Sequence, residues 1–179
     1  MTMTNPSKSQ LDLCTDILSL ATELTLASIR PDGTPHASTA SFASDGLCVY
    51  FSVAIDSQKA HNIQHSNRIA FAVNTAYRHW NEIRGLSVDA SAHMVTGKEE
   101  LSFASALLMQ KFPEFASVIS DPAQLPWPGM VFVRCIPHRI ALLDYTKGFG
   151  HTDYLEVDAA LELLKTRGIA APPPAAPGA

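Results

Sequence analysis

The chain has 179 residues, 46% of them apolar and 17% charged, which suits one globular domain with a real core and excludes a disordered chain. Its formal net charge is −4 and it has no basic run, so a nucleic-acid partner is not expected, because phosphate-backbone binding needs clustered Lys and Arg. No apolar run approaches the ~20 residues needed to span a bilayer, and MTMTNPSKSQ has no apolar signal region, so the expectation is a cytoplasmic protein with no membrane partner.

Residues 1–9 read as a flexible N-terminus, 10–167 as the folded domain and 168–179 as a disordered Pro/Ala-rich tail. Residues 10–21 place Leu11, Cys14, Ile17, Leu18 and Ala21 on one helical face. Cys14, Cys48 and Cys135 are scattered, as buried thiols in a reducing compartment would be, and suggest neither a disulfide frame nor a zinc site. ELTLASI reads as a strand and Asp32-Gly33 as a hairpin turn. PHASTASFAS is a second strand, Asp45-Gly46 a second turn and LCVYFSV a third strand, so the three should form a meander.

A short helix over 57–66 follows, then the strand RIAFAVN. IRGLSVDASAHMV alternates strictly, with Leu86, Val88, Ala90, Ala92 and Met94 facing one way. KEELSFASALLMQKF is an amphipathic helix carrying Leu101, Ala104, Leu107, Leu108 and Phe112. PGMVFVRCIPHRIALLDY is a long strand expected to bend or bulge at Pro137, and a last helix is expected around 157–166. About six antiparallel strands with helices between them imply a mainly β, α+β fold closed into a small barrel.

Chemistry concentrates in DSQKAHNIQH. A helix N-terminus presents free N–H groups and partial positive charge, Ser57 adds a hydroxyl and Lys59 a full charge, so an anion fits there. The same residues also read as a plain helix start, with Ser57 as cap and Lys59 solvated. His61 and His65 share a helical face, but Asn62 stands where a zinc peptidase needs Glu, and no metal site is expected. Cys48 and Cys135 lie in strands and are not expected to act as catalytic thiols.

YFSVAIDSQKAHNI, between strand and helix, together with the hairpin ELTLASIRPDGTPHAST, resembles the pyridoxamine 5′-phosphate oxidase-like, FMN-binding split-barrel family over about residues 10–160. That family has Ser-Arg-Lys where this chain has Ser57-Gln58-Lys59. IRGLSVDA and DYTKGFGHTDYLEV resemble a small, poorly characterised subgroup with an Ile-Arg-Gly strand and a Gly-Phe-Gly loop. The family's true oxidases carry an Arg-rich substrate segment that is not found here, so vitamin B6 oxidation is not expected.

The resemblance implies a six-stranded split barrel, a homodimer, and FMN in a cleft between subunits. It implies that Ser57, Gln58 and Lys59 hold the phosphate, with Asn62 as a compensating neutral donor for the missing Arg. His36, Ala37, Ser38, Thr39, Phe51, Ser52 and Val53 would line the ribityl chain and ring. The partner would bring Trp80, Arg84, Ser87 and the Lys147–His151 loop. The function implied is an oxidoreductase acting on a small molecule, with no catalytic acid or base assigned. The alternatives are a non-catalytic flavin module, or a haem-binding or haem-degrading protein with His151 as iron ligand.

Overall fold

The computed structural model describes residues 2–157. The helix expected around 157–166 and the Pro/Ala-rich tail lie beyond the described residues. Helix α1, Lys8–Leu20, starts two residues before the expected start at residue 10, because Ser7 and Gln10 form a capping box. Ser7 Oγ accepts from Gln10 N at 3.3 Å, and Gln10 Oε1 accepts from Ser7 N at 2.9 Å. Cys14, Ile17 and Leu18 are its buried face. Ahead of the helix, Thr4 makes an isolated parallel bridge to Leu155.

Strands β1 (Glu23–Ile29) and β2 (Pro35–Ser41) form a hairpin, with Gly33 at φ 84° in its turn. Strands β3 (Ala43–Asp45) and β4 (Cys48–Ala54) form the second hairpin. Then come α2 (Gln58–His65), β5 (Arg68–Asn74), β6 (Arg84–Met94), α3 (Lys98–Lys111), the one-turn α4 (Phe115–Val118), β7 (Met130–Asp144) and β8 (Thr152–Glu156). No helix among the described residues is long and apolar enough to cross a membrane.

The expected meander does not form. The sheet order is β2-β1-β5-β6-β7-β4-β3, with β8 added beside β7. PHASTASFAS is broken at Phe42 into β2 and β3, which lie at opposite ends of that order yet are neighbours in sequence. One bent strand therefore supplies both ends of the sheet, and the sheet curls into a split barrel. Taking β2 and β3 as one strand leaves six in the barrel. The eighth, β8, follows the Gly-Phe-Gly loop, in a segment where the sequence predicts no strand.

The pivot is well anchored. Phe42 is fully buried, and its N–H donates to Thr22 O at 3.2 Å. Lys111 Nζ sits 4.3 Å above its ring and donates to the α1 C-terminal carbonyls of Leu18 (3.2 Å) and Ala21 (2.5 Å). Along β6 the predicted face, Leu86, Val88, Ala90 and Ala92, is buried, with Met94 half-buried. The irregularity expected at Pro137 is present: Asp89 faces Arg139 and Ala90 faces Pro137, leaving His138 as the extra residue of a bulge. Outside the barrel, Glu100 of α3 accepts from Arg134 at 2.7 Å and from the Tyr50 hydroxyl at 3.3 Å.

Because Phe42 is buried where the strand changes edges, Phe42→Ala should destabilise the fold by about 3–5 kcal/mol. Phe42→Leu should cost clearly less. Urea unfolding midpoints check this; equal, small shifts for both would show that the pivot does not depend on the ring.

Candidate functional site

Chain leaving β4 turns at Ile55–Asp56 into α2, where Ser57 is the N-cap and its Oγ accepts from Ala60 N at 3.3 Å. Ala60, Asn62 and Ile63 are buried and fix the helix on the barrel, so Ser57 and Lys59 stay half-exposed and Gln58 exposed. Lys59 Nζ crosses to β2 and donates to Thr39 O at 2.6 Å. Burial pulls the Lys59 ammonium below the usual lysine range. Its hydrogen-bond partner is a neutral carbonyl and not a carboxylate, so an anion beside it would gain a charge-assisted contact.

Asn62 is not the outward donor that its spacing suggests. It is on the same buried face as Ile63 and is fully covered. Its Nδ2 donates to Ser28 Oγ at 2.9 Å, and its Oδ1 accepts from Gln58 Nε2 at 2.8 Å. Ser28 lies opposite His36 in the β1–β2 register, so His36 and, two residues on, Ser38 face the same side as this chain of hydrogen bonds. His36 Nδ1 and Ser38 Oγ are buried and lack hydrogen-bond partners. Such orphaned atoms are rare in folded proteins and mark a place where a polar ligand is missing from the account.

Ala37 and Thr39 point to the other face and are exposed. There a cleft of about 660 Å³ opens against Glu23 and Thr25 of β1, Ala72 and Asn74 of β5, and Thr75 and Ala76 beyond it. That volume is in the range of cofactor sites. Thr39 belongs to both features: its side borders the cleft and its carbonyl holds Lys59. Sequence reading passed over Thr25, Ala72 and Asn74. Their signal was the small or polar residue at the outward phase of each strand. Gly85 serves the same rim, since a Cβ there would run into the Asn74 side chain and the Val73 carbonyl at 2.9 Å.

Phe51 and Val53 face the core and are buried, so only their backbone is available to a ligand. Ser52 points outward to a separate cavity of about 280 Å³ lined by Phe115, Trp127 and Met130.

Trp80, Arg84, Lys147 and His151 do gather, at one end of the sheet. The exposed Trp80 ring lies 6.3 Å from Tyr145 and 5.8 Å from Phe149. Arg84 Nε donates to Asp144 Oδ1 at 3.1 Å and Nη2 to Thr146 Oγ1 at 3.4 Å. Burial alone would raise the Asp144 carboxyl, but bonds from Thr146 and Arg84, with the Arg84 charge, hold it below the usual carboxylate range. Lys147 Nζ meets Asp153 Oδ2 at 3.0 Å, and His151 Nε2 lies 3.3 Å from Asp153 Oδ1 without hydrogen-bonding geometry. Ser87 is exposed on β6, opposite the cleft residue Ala72. All three cysteines are buried and free, and burial pushes the Cys14 thiol up to about 11.

The model of the family described as pyridoxamine 5′-phosphate oxidase matches residues 12–141. No curated protein matches. Among solved structures, the conserved hypothetical protein Rv2991 from Mycobacterium tuberculosis superposes with a TM-score of 0.67 at 22% identity, over 84% of this chain and 95% of its own. General Stress Protein 26 from Bacillus anthracis gives 0.60 at 17%, over 82% and 98%. The heme storage protein HutZ from Vibrio cholerae gives 0.59 at 18%, over 76% and 93%. At these identities the structures show a shared fold.

The lowered Asp144 carboxyl sets a pH dependence. Its stabilisation is full above the unfolded carboxyl value, about 3.9, and is lost as pH falls through the lower folded value. Asp144→Asn should therefore be less stable than wild type at pH 7, by about 1–3 kcal/mol, with the gap closing below pH ~4. Denaturant midpoints at both pH values test this; a gap independent of pH would remove the charge from the account.

Proposed function

The chain belongs to the pyridoxamine 5′-phosphate oxidase family, and on that premise we propose that it is an FMN-binding oxidoreductase acting on a small molecule as a cytoplasmic homodimer. The family binds FMN. The observation that carries the reading is the half-buried Lys59 ammonium at the start of α2, held by a neutral carbonyl. The orphaned His36 Nδ1 and Ser38 Oγ on β2, beside the Ser28–Asn62–Gln58 chain, add to it. A group with a phosphate and several polar atoms suits that donor set. Three buried free thiols agree with a reducing compartment.

In this reading Lys59, Ser57 and the first N–H groups of α2 bind the phosphate. His36 and Ser38 supply polar contacts on the α2 side of β2. Trp80, Arg84, Ser87, Lys147 and His151 act from the second protomer, where Trp80 offers an apolar face and Arg84, already oriented by Asp144, a fixed cation. FMN, when bound, supplies two-electron chemistry, while the chain supplies binding, orientation and exclusion of water. Vitamin B6 oxidation is not part of the proposal.

Lys59→Ala should weaken FMN binding by roughly ten- to a hundredfold, since a charge-assisted hydrogen bond is worth ~1.5–3 kcal/mol. Riboflavin, lacking the phosphate, should bind weakly and ignore the substitution. Flavin fluorescence titrations of apo wild type and variant decide it. Equal losses for both flavins, or none, would make Lys59 a solvated lysine.

A second reading is favoured by the exposed apolar rings of Trp80 and Phe149, the latter lying two residues from His151 in the chain. It takes haem with His151 as iron ligand. Under it, haem added to wild type gives a Soret band that His151→Ala abolishes. Failure of wild type to take up haem ends this reading and leaves the flavin one standing.

A further inference from the structure

On the β6–β7 pair, three side chains converge that the flavin reading does not use. His93 Nε2 lies 3.1 Å from Ser91 Oγ, and His138 Nε2 lies 3.1 Å from the same oxygen. The bulge builds this arrangement. Asp89 faces Arg139 on one side of it and Ser91 faces Ile136 on the other, so His138 is the unpaired residue and swings toward Ser91. The two imidazole nitrogens can be no farther apart than the sum of their contacts to that one oxygen.

A serine hydroxyl has one proton and two lone pairs, so at most one imidazole accepts from it and at least one donates its N–H to the oxygen. Both Nε2 atoms are aimed at that common point. A change of tautomer turns a donating Nε2 into a ligating one.

The neutral imidazole is the form that metals bind. The neighbouring cations are themselves paired, Arg134 with Glu100 at 2.7 Å and Arg139 with Asp89 at 2.7 Å. Among the described residues no three His, Cys, Asp or Glu side chains gather for a metal, and the cluster here is two imidazoles and one hydroxyl.

We propose that His93, His138 and Ser91 form a binding site for a divalent late first-row cation, with Cu²⁺ held more tightly than Zn²⁺. Two imidazole nitrogens with oxygen donors suit Cu²⁺, which also stands highest in the general affinity order. Both histidines project from paired strands, so little backbone order has to be gained on binding.

The test titrates Cu²⁺ alone into the full chain by calorimetry, with electron paramagnetic resonance of the one-to-one complex. His138 is exposed, so His138→Ala should leave the fold intact; His93→Gln is the second variant, checked by circular dichroism. Each should weaken the tightest Cu²⁺ site by about tenfold or more, the scale seen when even a metal's outer partners are lost. Nitrogen hyperfine lines should fall from two imidazoles to one. His61 and His65 on α2 are the other histidine pair at ligating spacing, so His61→Ala/His65→Ala should bind Cu²⁺ as wild type does. Wild-type affinity in His138→Ala, or a loss confined to the His61/His65 variant, would overturn the assignment.

Discussion

One strand must serve both ends of the sheet, and the rest of the architecture follows from that constraint. Residues 35–45 run along β1 as β2, bend at Phe42, and run along β4 as β3. The curled sheet is thereby tied to itself by a covalent chain instead of a full ladder of hydrogen bonds. A seam is left where β2 approaches β4 without pairing to it. Exposed edges invite unwanted pairing and are normally covered. Here α2, which follows directly from β4, packs by the seam, and Lys59 reaches across to Thr39 O at 2.6 Å. The closure of the barrel thus decides where the candidate phosphate site lies.

The polar groups under α2 divide into two sets. Ser28, Asn62 and Gln58 satisfy one another at 2.8–2.9 Å and hold the helix in place. His36 and Ser38, on the neighbouring strand, are half-buried to the same side, and their buried Nδ1 and Oγ atoms have no partner. A lone buried polar atom costs about 1–3 kcal/mol. Two of them side by side are more easily understood as groups kept for a ligand than as packing defects. Fold alone would not justify that step, since one fold serves many functions. The orphaned atoms are what add to it.

Local chemistry was legible in the sequence and long-range pairing was not. ELTLASI and RIAFAVN form strands over the residues quoted, because alternation and turn residues are local signals. The same holds for the Ser57 cap, the buried face of β6 and the irregularity at Pro137. The meander failed because nothing local to PHASTASFAS says that its two halves join opposite ends of a sheet. β8 was missed because Thr152–Glu156 is short and follows Gly148 and Gly150. In the candidate site, residue type and motif were what singled out Lys59 and Trp80 in the sequence. Asn62 was misread because its role depends on which face of α2 meets Ser28, a contact 34 residues away.

That contact changes what the departure from the family pattern means. The resemblance puts Arg at position 58, where a guanidinium would grip phosphate with two parallel bonds. By residue type alone, a glutamine there is the same arm with a weaker hand. The geometry says otherwise, for Gln58 Nε2 is spent on Asn62 Oδ1 at 2.8 Å, and Asn62 is in turn committed to Ser28. Gln58 thus serves the anchoring of the helix. Any phosphate held at this helix start therefore rests on Lys59, the Ser57 hydroxyl and the backbone N–H groups. Restoring the family residue with Gln58→Arg would add a cation at the site while removing a donor from the buried Asn62, so gains in anion binding and losses in stability would come from the same substitution.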